Sequence, residues 1–134
     1  MCANPESERA VEVACRLAAE HHASLVVVTV VEVSALLPLD ARMDEEELEA
    51  RQLHDRAQEI GDAYGVPIVA RQLRARQASA AILDELEERD FDLVVLGAAR
   101  RRRLSRRGSP FGRTVQQVLR RSKCPVLVVA PPPS

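Results

Sequence analysis

The run Leu93-Val94-Val95-Leu96, followed directly by Gly97, narrows the possible folds more than any other part of the chain. Four consecutive apolar residues are too short for a helix and too apolar for a strand with one wet face. They describe a strand buried on both sides, as in a parallel sheet covered by helices. Gly97 ends that strand where backbone has to pass close to something. An Arg-rich loop, a helix and a second apolar strand at 126–130 follow. Strand, glycine-containing loop and helix N-terminus, in that order, form an arrangement suited to holding a phosphate group.

The rest of the chain repeats the alternation. Pro5 suits a first helical turn, with Asn4 as N-cap and Glu6 and Glu8 near the positive end of the dipole. Ala10, Ala14, Leu17 and Ala18 then recur at helical spacing to about His22. Residues 24–33 hold a second two-sided buried strand, and 34–42, with Pro38, read as loop. Asp44 to Glu47 open a long acidic-started helix whose stripe is Ala50, Leu53, Ala57, Ile60 and Tyr64. Gly65 stops it in the C′ position and Pro67 bars continuation. Residues 66–73 form a third strand, with Arg71 interrupting it as expected near a sheet edge. Ala78, Ile82, Leu83 and Leu86 stripe a third helix, and Val115, Val118 and Leu119 a fourth, for which Ser109-Pro110 offers a start. Strands alternating with helices predict an α/β fold, a doubly wound parallel sheet in one domain over 1–134.

Composition limits the function classes. With 134 residues, 46% hydrophobic and 29% charged, the chain reads as a globular domain with a real core. Aromatics are 2%, so that core is built of Val, Leu, Ile and Ala. No run approaches the roughly 18 apolar residues of a membrane span, and the start lacks a signal-peptide pattern. Cys2, Cys15 and Cys124, odd in number and scattered, suggest neither a disulfide framework nor a metal cluster; a cytoplasmic location is the expectation. The net charge of −1 conceals a polarity: residues 1–67 carry 5 basic and 14 acidic side chains, residues 68–134 carry 14 and 6. Beyond Gly97 there are ten Arg or Lys and no acid, so an anion is drawn to the C-terminal half.

Asp92-Leu-Val-Val-Leu-Gly97, the basic loop, Phe111-Gly112 opening a helix, and Lys123-Cys-Pro-Val-Leu-Val-Val129 together resemble the C-terminal half of a universal stress protein domain. Ile82-Leu83 and the strand at 25–32 fit the same family. The resemblance implies an adenine nucleotide alpha hydrolase-like sheet of five parallel strands in the order 3-2-1-4-5, and homodimers through the last strand, here 126–130. It also exposes two departures. The family begins with a central strand ending in an Asp that contacts adenine; here Met1-Cys-Ala is what remains of that first strand, and Asn4 stands at the Asp position. A gap between the strands at 25 and 93 is then expected. Truncation, direct pairing of those strands, or another chain in the slot would each account for it.

The second departure is in the phosphate loop. ATP-binding members carry Gly-x2-Gly-x9-Gly-Ser/Thr. Gly97 matches the first position, Arg100 replaces the second Gly, and Gly112 falls two residues late. Arg113 occupies the hydroxyl position, with Thr114 one step on. Arginines in this loop can replace amide contacts with charge-assisted ones to phosphate.

The resemblance therefore implies a regulatory module for ATP or a related adenine nucleotide. Its site would comprise Asn4, Val30, Leu96, Gly97, Arg100, Gly112, Arg113 and Thr114, with Val30 and Leu96 flanking the base. The alternative is a dimerisation or docking domain without nucleotide, such as the cytoplasmic domain of a membrane transporter. Nucleic acid is disfavoured because the basic loop lacks stacking aromatics apart from Phe111. No nucleophile–base–orienter set supports an enzyme. His21 and His22 read as helix-end residues, His54 as isolated, and Cys124 as a small buried hydrophobe.

Overall fold

A computed structural model of the chain describes residues 5–97 and 113–129, with side chains from residue 8 in the first segment and from 114 in the second. The elements are α1 (Pro5–Glu20), β1 (Leu25–Glu32), α2 (Asp44–Tyr64), β2 (Ile68–Ala75), α3 (Ala78–Glu88), β3 (Val94–Gly97), α4 (Arg113–Arg121) and β4 (Val126–Val129). This is the expected α/β alternation, with parallel pairing throughout. Ser109-Pro110 and Ala130 lie outside the described residues. The strand read at 66–73 lies two residues later, because Val66 belongs to the end of α2.

That end is well defined. Gly65 adopts the left-handed conformation, φ 69°, and donates its N–H to Asp62 O, while Val66 N donates to Gly61 O. This is the Schellman closure of a helix, and it depends on a residue without Cβ penalty at 65. The end of α1 uses His22 instead, at φ 52°, with Ala23 N bonded to Ala18 O.

Among the described residues the sheet is in two parts. β1 pairs β2 over eight residues, Leu25↔Ile68 to Glu32↔Ala75. β3 pairs β4 over four, Val94↔Val126 to Gly97↔Val129. β1 and β3 are not paired directly, so that way of closing the expected gap is not the one adopted. α1 and α2 pack together and cover one side; α3 and α4 pack together and cover the other.

Two apolar clusters follow. Val11, Cys15, Val27, Leu53 and Ala57 unite α1, α2 and β1, with Ile60, Tyr64 and Ile68 packed against them. Leu96, Val115 and Val118 unite β3 and α4, with Ile82, Val94, Val126 and Val128 around them. The predicted stripe of α2 is the observed one. That of α3 is found in part: Leu86 is buried and Ile82 packs on the core, but Ser79, Ala81 and Glu85 are buried too, so an acid outside the predicted stripe takes an interior place. Leu119 is exposed rather than part of the α4 stripe. Cys124 is half-buried, a correction to its reading as core; its N–H bonds the Ser122 hydroxyl.

The long connection between β1 and α2 is held by two arginines of β2's end. Arg76 donates to Ser34 O at 2.5 Å and Leu37 O at 2.7 Å, and Arg74 to Ala41 O at 2.6 Å. Arg74 also pairs with Glu47 at the start of α2.

Candidate functional site

The strands' C-terminal ends and the start of α4 carry the residues singled out in the sequence. Leu96 is buried near the end of β3 and packs on Val115 and Val118. Gly97 closes β3 opposite Val129. Arg113 is the first residue of α4, and Thr114, half-buried, is the second. Val30 is buried two residues before the end of β1. Asn4, Arg100 and Gly112 lie outside the described residues. The structure thus brings Leu96 onto α4, with Gly97 the next residue of β3, while Val30 stands on the other half-sheet. α4 has no acid in its first turn and two arginines in its last, so its positive end is not neutralised by its own carboxylates.

Between the half-sheets runs an apolar cleft of about 160 Å³. Leu25 to Val28 of β1 face it from one side and Leu93 to Gly97 from the other, with Ala10, Val11 and Ala14 of α1 below and Ile82 and Leu86 of α3 above. Leu96 and Gly97 line this cleft; Val30 does not. The opening lies alongside the strands rather than only at their ends.

Glu85 is the one acid on that lining. It is 6% exposed, and its Oε1 accepts from Arg71 at 2.9 Å. Arg89 Nε approaches Oε2 at 4.0 Å, too far for a hydrogen bond. Glu85 Oε2 and Arg71 Nε are buried without hydrogen-bond partners. A carboxylate held this way keeps unused acceptor capacity in an apolar place, which is costly unless a donor arrives. Nothing in the sequence marks it, since Glu85 stands outside the expected apolar stripe of Ala78, Ile82, Leu83 and Leu86.

His54, read as isolated, is not. Its Nε2 lies 2.9 Å from the hydroxyl of the fully buried Thr29. Burial holds the imidazole below its ordinary pKa, opposed in part by Asp55. The signal was available: Thr29 is the one polar residue inside a run of Val and Leu. Burial, with Glu12 nearby, raises the Cys15 thiol, which makes it an unreactive core residue. Among the described residues, no three His, Cys, Asp or Glu side chains come together as metal ligands. No described helix is long and apolar enough to cross a membrane.

Comparison with known proteins agrees with this architecture. No curated protein matches the sequence significantly. Among solved structures, a universal stress family protein from Burkholderia pseudomallei is 23% identical, with TM-score 0.72 over 96% of this chain and 90% of that one. The Archaeoglobus fulgidus universal stress protein, solved with dAMP, is 19% identical with TM-score 0.72, over 96% and 91%. A universal stress protein solved with cAMP is 25% identical with TM-score 0.67, over 97% and 91%. The model of the universal stress protein family matches residues 3–130, and with nearly the whole length accounted for, the chain belongs to that family.

Proposed function

We propose that the chain is a regulatory module that binds an adenine nucleotide or a related phosphate compound, with a rewired phosphate loop. The observation that carries this is the junction of β3 and α4. Gly97 ends a strand that packs on a helix opening with Arg113 and Thr114, in a half of the chain that has no acid beyond Gly97. Open α/β sheets receive ligands at the carboxyl ends of their strands. A relative at 25% identity was solved with cAMP. In this reading Arg100 and Arg113 meet the phosphates, Thr114 offers a hydroxyl at the helix start, Gly97 and Gly112 allow close approach, and Leu96 and Val30 flank the base. In the same reading Asn4 would meet the base, exchanging hydrogen bonds but adding no charge. The role is sensing rather than turnover, in a cytoplasmic stress response, with the outer edge of β4 as the homodimer contact.

The divided sheet favours a second reading, a docking domain that takes no nucleotide, as in the cytoplasmic part of a membrane transporter. Thermal melting separates the two. Millimolar ATP, dAMP or cAMP should raise Tm in proportion to RT ln(1 + [L]/Kd), and Arg100→Ala or Gly112→Val should remove the gain. No shift with any of the three would leave the docking reading.

A further inference from the structure

The connection from β1 to α2 displays an apolar surface. Ala35-Leu36-Leu37-Pro38-Leu39 is a run of five apolar residues, all exposed, with Leu36 at 94%. Single exposed leucines are ordinary, whereas an uninterrupted exposed run marks a contact surface. Arg74 and Arg76 hold the carbonyls of Ser34, Leu37, Leu39 and Ala41, so the run projects as a shaped knob. Asp40 follows it directly, with no ion pair among the described residues. A second place has the reverse shape, a groove of about 470 Å³ between α3 and the end of α4. Ala80, Leu83 and Leu86 line it from α3; Arg121 and Lys123 line it from the other side. Neither cation has an ion pair among the described residues. Asp84, Glu87 and Glu88 also border the groove, from α3. The knob follows the C-terminal end of β1, and the two cations come just before the start of β4. In a parallel α/β sheet these are opposite ends of the strands, so the knob and groove of one molecule do not meet.

We propose that the knob of one copy of this chain seats in the α3–α4 groove of a second copy. Leu36 and Leu37 replace water against Leu83 and Leu86, and Asp40 meets Arg121 or Lys123. The acids of α3 fix the direction of seating. The uncharged stretch Leu36–Pro38 lies against α3 and Asp40 against α4, because the reverse would set Asp40 on Glu87 and Glu88. An anionic lipid surface suits the knob less well, since Asp40, Asp44, Glu45 and Glu46 surround its one nearby base, Arg42, in the chain. Each copy carries one knob and one groove, so two copies can close on each other about a two-fold axis. A contact of this size is small beside stable interfaces, and the association is reversible. It uses neither the outer edge of β4 nor any nucleotide.

Sedimentation velocity of the full chain between about 10 and 500 μM should show a mass that rises with concentration. Leu36→Ser, at an exposed position on which folding does not depend, should weaken the association at least about tenfold, as one leucine's burial implies. Asp40→Lys and Lys123→Asp, both at exposed positions, should each weaken it severalfold. An equimolar mixture of those two variants should recover the association, since every knob then finds a groove of opposite sign. A mass identical for the parent and Leu36→Ser at every concentration, whether of single chains or of dimers joined at β4, would overturn the proposal. So would charge variants that associate as the parent does, or a mixture that recovers nothing.

Discussion

The two halves of the sheet are built from the same kind of residue but differ in how firmly each is held. β1 and β2 share an eight-residue ladder, β3 and β4 one of four. Among the described residues, the largest fully buried side chains are Leu53, Val31, Val33, Thr29 and Cys15 in the first half and Val118 in the second. The first half is acidic and closed by a well-formed helix stop; the second is basic, with ten Arg or Lys and no acid beyond Gly97. The difference teaches that length of pairing and depth of burial, not strand propensity, separate the scaffold from the region available for binding.

Substitutions test that division directly. Leu53→Ala should cost about 2–5 kcal/mol in urea unfolding, whereas Val118→Ala, removing less volume from the smaller cluster, should cost roughly 2 kcal/mol. A larger loss for Val118→Ala would reverse the assignment. Gly61→Ala comes next. An added Cβ would overlap Ile68 Cδ1 and lie 2.8 Å from its Cγ1 and 3.0 Å from the Val66 carbonyl oxygen. The overpacking, about 1–3 kcal/mol, should exceed the roughly 1 kcal/mol of helix propensity gained, so the melting temperature falls; a rise would show that Ile68 swings aside freely.

The third test uses acidity. Burial lowers the pKa of His54, so the unfolded chain takes up the proton before the folded one does. Stability tied to His54 is therefore complete above the unfolded pKa of about 6.5 and is lost as pH falls below it. Melting at pH 7.5 and 5.5 should show a smaller difference in His54→Gln than in the parent chain; an unchanged difference would remove His54 as the cause. The smallest effect is expected at Arg56, which joins Glu8 at 3.6 Å and Glu59 at 2.8 Å on exposed surface. Arg56→Ala should change stability by less than about 1 kcal/mol, and less still in high salt.

Much of the scaffold was readable because its signals are local. Gly65 with Pro67, the acidic start at Asp44 and the Ala50–Leu53–Ala57 stripe each specify structure within a few residues. Family membership was likewise legible from 92–97 and 123–129. What was not legible depends on distant partners. Thr29 and His54 are 25 residues apart in sequence and meet at 2.9 Å. Glu85 looks like a solvent-facing acid until Arg71 on the neighbouring strand draws it inward. Among the described residues β1 and β3 are unpaired, as expected, but that apolar residues of α1 and α3 line the space between them follows only from packing.

The arginines at the end of β2 have a consequence for the exposed leucines. Leu36 is 94% exposed, yet the carbonyls on either side of it, those of Ser34 and Leu37, are gripped by a single guanidinium. The hydrophobic tip is therefore displayed on a fixed mount, and the rotational freedom that an unanchored tip would forfeit on contact has already been surrendered during folding. Anything that touches Leu36 therefore meets a tip already tied to the end of β2 through Arg76, not a loose loop.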